Sequence, residues 1–211
     1  MRLIVLTPVA AVALLLSGCA TMSQEDCLRG DWAAVGFKDG EDGRPQSRLD
    51  DHAKACAKSG VAPDPAPYFR ARAQGLRLYC TQERGFREGR EGDDYAGVCP
   101  QPDERGFLVG YADGKLVHEA EARLSQARSD LDSADRRAEK RDREARGVED
   151  ELRNPQLNEE QKRELRDRLN RLRSERRQAT EDGRRADWAI RDAQRDVEDL
   201  EHRFRPRYGG W

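Results

Sequence analysis

Between Val117 and Phe204 the apolar residues fall into two interleaved rows on each of two long segments. On the first, Val117, Leu124, Leu131, Ala138, Ala145 and Leu152 recur at heptad spacing, with Ala120, Ala127, Ala134, Arg141 and Val148 three residues on. On the second, Leu165, Leu172, Ala179, Ala186, Ala193 and Leu200 alternate with Leu169, Arg176, Gly183, Ile190, Val197 and Phe204. This alternation of three and four is the seam of a coiled coil. No heptad is skipped, which predicts a left-handed supercoil.

The two segments meet at Asn154-Pro155. Proline removes an N–H and drives the residue before it out of the helical region. Asn158 with Gln161 three residues on reads as a capping box, and Glu159 and Glu160 suit the positive end of a helix. So short a connection makes the arms antiparallel neighbours. A register with residue numbers summing to 310 sets Ala145 against Leu165, Ala138 against Leu172 and Leu131 against Ala179. It also sets Arg141 against Leu169 and Arg176 against Ala134, with both guanidinium groups turned outward. Each arm of ~48 residues would span on the order of 70 Å. From Glu104 to Trp211 there are 26 acidic and 26 basic residues, most of them outside the seam.

The first half of the chain reads differently. Met1-Arg2 is followed by an apolar run, Leu3 to Leu16, too short to span a bilayer comfortably. It ends in Leu16-Ser17-Gly18-Cys19, which resembles the lipobox of bacterial lipoproteins. The resemblance implies removal of residues 1–18 and acylation of Cys19, with residues 19–23 as a short tether. Several acyl chains anchor a protein where one alone is marginal. Ala20 in place of aspartate implies the outer membrane of a Gram-negative cell.

Export places the chain in an oxidising compartment. Setting Cys19 aside leaves Cys27, Cys56, Cys80 and Cys99. We expect two local disulfides, Cys27–Cys56 and Cys80–Cys99, the other pairings remaining open. A zinc site and a redox site both lack their usual C-x-x-C spacing. Short helices are expected after Asp31, over Gln46 to Ala57 and from Pro67. Tyr79 to Pro100, rich in glycine and charge, is expected to be irregular.

A small motif recurs here. Val35-Gly-Phe-Lys-Asp-Gly40 is echoed by Val109-Gly-Tyr-Ala-Asp-Gly114, by Gly85-Phe-Arg-Glu-Gly89 and weakly by Arg70 to Gly75. Small residues four apart on a helix form a groove for a second helix. Gly36 and Gly40, Ala71 and Gly75, and Gly110 and Gly114 are therefore expected to pack helix on helix, with Trp32, Tyr68 and Phe107 filling the surrounding space. The Gly85 copy is expected to make turns. The arrangement around Asp26-Cys27, Gly30-Asp31-Trp32, His52, Ala55-Cys56, Tyr79-Cys80-Thr81, Gly85-Phe86 and Gly97-Val98-Cys99-Pro100 resembles a family of bacterial envelope lipoproteins, the domain of unknown function 2799. The resemblance runs from about Cys19 to Leu131 and implies an envelope identity without an assigned activity. Ala71 stands where the pattern leads us to expect glycine.

Candidate chemistry is sparse. His52 lies one helical turn before Cys56, but a His–Cys nucleophile needs a free thiol. His118 and His202 fall out of register with each other and are not expected to share a metal. No phosphate-binding loop, serine motif or twelve-residue calcium loop appears, so neither metal nor cofactor is expected. Charge balance along the arms, together with export, argues against nucleic acid. The tail from Pro206 to Trp211 is expected to be a mobile end rather than a small aromatic hook, the alternative its composition also offers.

The expected molecule is all-α: a disulfide-stapled helical module over 24–103, then an antiparallel coiled-coil hairpin over 104–205 with its turn at 154–158 and a tail over 206–211. The expected role is a lipid-anchored scaffold on the periplasmic face of the outer membrane. Its hairpin would meet a protein partner, a second copy in a four-helix bundle, or the cell wall. The rival expectation is a wall-modifying enzyme using His52, Asp31 and Tyr95, or a ligand-sensing module in the cysteine region.

Overall fold

The computed structural model describes residues 21–211. Cys19 and the expected export segment lie outside the described residues. Seven α-helices follow one another: α1 (Gln24–Arg29), α2 (Trp32–Glu41), α3 (Arg48–Cys56), α4 (Pro65–Tyr79), α5 (Gln82–Glu91), α6 (Asp103–Glu151) and α7 (Glu159–Tyr208). A single 3₁₀ turn, Ala57–Ser59, follows α3, and there is no strand among the described residues.

The chain forms two compact units. One is residues 21–79 together with Ala96–Val98; the other is Cys80–Tyr95 with Cys99–Trp211. The boundary thus falls inside the cysteine-bearing region, and α5 belongs with the long helices.

In the first unit, side-chain caps set the helix starts. Ser23 accepts from the Asp26 amide at the head of α1, and Asp31 accepts from the Ala34 amide at the head of α2. Helices α2 and α4 cross through glycine. A Cβ added at Gly36 would overlap the Tyr68 carbonyl, one at Gly40 the Arg72 carbonyl, and one at Gly75 the Phe37 carbonyl. Backbone therefore lies on backbone, and side chains must be buried around the crossing rather than within it. Met22, Trp32, Leu49, Tyr68 and the Cys27–Cys56 disulfide form that core. Residues 21–23 are part of it. Met22 is buried, Thr21 bonds to His52 and Ser23 caps α1, so this part of the expected tether is packed.

The second unit corrects the expectation of an irregular stretch between Tyr79 and Pro100. Thr81 caps α5 by accepting from the Arg84 amide, and Gly92 closes it with φ 83°. Gly85 and Gly89, expected in turns, lie on that helix against the carbonyls of Phe107 and Tyr111. Gly110 and Gly114 reciprocate on α6, meeting the carbonyls of Gln82 and Phe86. Glycine and charge suggested a loop, but the glycines mark a crossing and the charges its solvated face. The Cys80–Cys99 disulfide, with Cα atoms 5.5 Å apart, ties the start of α5 to the approach of α6.

Helices α6 and α7 run 49 and 50 residues and form the expected antiparallel hairpin, about 75 Å long at helical rise. Asn158 and Gln161 form the expected capping box, while Asn154 and Pro155 sit in the connection. The register differs from the expected one by a heptad. Gly183 lies against Ala134, Arg137 bonds to Asp182, and Arg123 bonds to Asp196. Leu152 and Leu165 pack on one cluster with Ala145, Val148, Leu169 and Leu172. Pro155 is not the pivot, because the chain makes tight turns from Leu152 to Leu157 before α7 begins. A heptad pattern is blind to such a shift, since every row still lands on a row. One consequence is that Arg141 and Arg176 share a level, where Arg141 meets Glu144 and Glu175 and Arg176 meets Asp142.

The tail also departs from expectation. Pro206 lies inside α7, and Tyr208 stacks on Phe86 with ring centroids 4.1 Å apart. Trp211 packs on Phe86 at 5.0 Å, beneath the Arg90 guanidinium. Aromatic area holds the end of the chain down.

Candidate functional site

The densest polar chemistry lies in the first unit. Helix α2 carries Asp39 on the turn between its packing glycines, α3 carries His52, and α4 carries Tyr68. Asp39 Oδ2 accepts from His52 Nε2 at 2.8 Å and from the Tyr68 hydroxyl at 2.6 Å. A carboxylate only accepts, so Nε2 carries a proton, and in the neutral ring Nδ1 then accepts from the Thr21 hydroxyl at 2.9 Å. Burial first, and then the Asp39 carboxylate, push the Tyr68 hydroxyl far above the ordinary tyrosine range.

Hydroxyl, imidazole and carboxylate in series are the parts of a nucleophile relay. Here, however, His52 is 3% exposed and both its nitrogens are engaged. The arrangement acts as a clasp holding the chain's first described residues to three helices. Beside it opens a cavity of about 330 Å³, lined in part by Thr21, Asp26, Arg29, Lys38 and His52.

The residues expected to accompany His52 in an enzyme do not join it. Asp31 is spent on its helix cap. Tyr95 belongs to the other unit, where it donates to Glu104 at 3.0 Å and accepts from the Cys99 amide at 2.9 Å. Cys56 is disulfide-bonded, which removes the His–Cys pair. His118 Nδ1 donates to the Arg90 carbonyl at 2.9 Å, while His202 is exposed. Carboxylates of Glu88, Glu91 and Asp93 gather within 4.8 Å at the end of α5, but Glu88 is already paired with Arg84 at 2.7 Å. Sequence reasoning missed Thr21, Asp39 and Tyr68 as partners of His52. The available signal was an aspartate near the negative, C-terminal end of α2, where a carboxylate is disfavoured without a partner.

The hairpin offers surface rather than a pocket. Trp188 on α7 is 67% exposed, with the Arg191 guanidinium 5.0 Å from its ring. At the tip, Glu151, Leu157, Glu164, Leu165 and Arg168 line an open groove of about 660 Å³.

Residues 31–116 match the family model described as "Protein of unknown function (DUF2799)". No curated protein and no solved structure matches the chain. The matched segment begins at the cap of α2 and ends just past Gly114, so it takes in both glycine crossings and leaves out most of the hairpin.

Proposed function

We propose that this chain is a lipid-anchored lipoprotein on the periplasmic face of a bacterial outer membrane, acting as a scaffold through the α6/α7 hairpin. The lipobox-like Leu16 to Cys19 supports the anchor. The two disulfides suit an oxidising compartment. The observation that carries the scaffold role is the hairpin surface itself: charged positions along its length, interrupted by exposed Trp188 and by the tip groove. Exposed tryptophan beside arginine is the composition of interface hot spots. A protein partner or a second copy is the favoured occupant, with the cell wall as a further candidate.

Site-specific photo-crosslinking in living cells tests this, with probes at Gln156 and Arg168 and a Trp188→Ala variant alongside. A reproducible partner at the tip makes the protein an adaptor. Self-crosslinks along the side make it a homo-oligomeric bundle. Absence of both, with function retained when 119–201 is deleted, overturns the scaffold reading.

The second reading is ligand sensing or wall modification in the first unit, and the cavity beside His52 favours it. Loss of phenotype in His52→Ala, with the hairpin deletion silent, would support it.

A further inference from the structure

The two glycine crossings are copies of one design. Gly36 and Gly85 each lie under the carbonyl of an aromatic residue, Tyr68 and Phe107. Gly40 pairs with Arg72 as Gly89 does with Tyr111, and Gly75 with Phe37 as Gly114 does with Phe86. Gly43 meets the ring of Tyr79, and Gly92 meets the ring of His118. The sequences agree, Gly-Phe-Lys-Asp-Gly-Glu-Asp-Gly over 36–43 against Gly-Phe-Arg-Glu-Gly-Arg-Glu-Gly over 85–92. Each crossing thus fixes which residue in one copy stands for which in the other.

In the second copy, Phe86 and Val117 form a seat for the end of α7. Phe204 packs directly on them, and Leu200, Tyr208 and Trp211 surround it. Phe86 is 4% exposed and Val117 0%. Their counterparts in the first copy follow from the glycines: Phe37 comes one residue after Gly36, and Leu78 three after Gly75. These are 37% and 54% exposed. The first copy therefore carries the same apolar seat with no helix on it among the described residues.

The rim of that seat has changed. Asp113, which accepts from Arg207 and Tyr208, is replaced by Gln74, and Gln82, which donates to Tyr208, by Ala33. Val109 and Leu116 are replaced by exposed Arg70 and Arg77. The partners that fix this chain's own basic tail are gone, and positive charge stands in their place. The tail is in any case engaged within its own unit.

We propose that the Phe37–Leu78 face of α2 and α4 is a docking seat for an amphipathic helix of another protein. That helix carries aromatic or large apolar residues one turn apart, flanked by acidic residues that meet Arg70 and Arg77. The geometry of its filled twin specifies a helix, and the altered rim specifies its charge.

The test uses the full chain and a dye-labelled peptide copying residues 197–211 with Arg203, Arg205 and Arg207 replaced by Glu. The unaltered peptide is the comparator, and fluorescence anisotropy is the readout. The acidic peptide is expected to bind at least tenfold more tightly than the unaltered one. Phe37→Ser with Leu78→Ser, both at exposed positions and so compatible with folding, is expected to weaken it at least tenfold. Arg70→Glu with Arg77→Glu is expected to reverse the preference. Absence of binding, binding unchanged by the Phe37 and Leu78 substitutions, or equal binding of both peptides overturns the proposal. So does cosedimentation with phosphatidylglycerol vesicles that is lost in the Phe37→Ser, Leu78→Ser variant, which would give the face to lipid.

Discussion

The α2/α4 pair and the α5/α6 pair cross through the same glycines yet are finished in different ways. At both crossings backbone meets backbone, so little side-chain area is buried at the point of contact. Such a pair cannot hold itself together, because a small unit buries too little apolar surface to offset the entropy of ordering it. The second pair is completed by a third element, α7, whose aromatic end covers Phe86. The first pair has no such cover among the described residues. It is completed by the Cys27–Cys56 disulfide, by Met22, and by the clasp in which Asp39 receives both His52 and Tyr68. In the second copy Phe107 replaces Tyr68 and Glu88 replaces Asp39, turning to Arg84 instead. One architecture thus tolerates a polar or an apolar completion, provided that something supplies it.

The strongest way to break the comparison is at the glycines themselves. Gly40→Val and Gly89→Val each drive a side chain into a backbone carbonyl, which no rotamer change relieves. Each should cost about 3 kcal/mol or more. In thermal melts followed by circular dichroism, Gly40→Val is expected to unfold the first unit while the α6/α7 signal persists. An unaltered first transition would refute the crossing as its organising contact.

Reduction comes next. The bridges span sequence separations of 29 and 19 residues, and each should contribute about 3 kcal/mol. The first unit has no long helix to fall back on, so dithiothreitol is expected to melt it and leave most of the helical signal. Collapse of the whole signal on reduction would show that the units are not separately stabilised.

Substituting the carboxylates distinguishes the two completions. Asp39→Ala strands two buried donors, His52 and Tyr68, and should cost about 1–3 kcal/mol. Glu88→Ala leaves Arg84, a cation that water can reach, and should cost less. Equal losses in chemical denaturation would mean that the clasp has no special part.

The smallest effect is in pH dependence. The folded state holds the Tyr68 proton more tightly than the unfolded chain, chiefly through burial. Its contribution is therefore complete below about pH 10, the ordinary tyrosine value, and is lost as pH rises through the higher folded value. Tyr208 and Tyr95 in the second unit are displaced in the same direction, again with burial as the first cause. Tyr68→Phe, which imitates Phe107, is expected to flatten but not abolish the alkaline fall in melting temperature. An unchanged slope would remove Tyr68 from the account.

Local signals in the sequence carried much of this structure. The caps at Asp31 and Asn158 involve neighbours three residues away, and both were legible. So were the seam rows, because period alone fixes which face of a helix is apolar. Helix α5 was not legible, since two glycines and six charges in ten residues look like a loop until a partner backbone is present. The tail was read as mobile because nothing within it shows that Phe86 lies beneath it. Of the clasp, His52 was visible as a residue but not as a partnership. Its contacts lie thirteen residues from it at Asp39 and 31 at Thr21, distances over which composition says nothing.

By itself the sequence determined the helical class, the two long arms, the capped turn between them and the small-residue surfaces, all of which depend on spacing along one chain. Tertiary structure decided what spacing leaves degenerate. It chose one heptad register over another that buries the same rows. It placed the glycines of α5 on a helix rather than in turns. It set an exposed Phe37 and a covered Phe86 on two copies of one crossing, because cover is supplied by whichever distant segment reaches the seat.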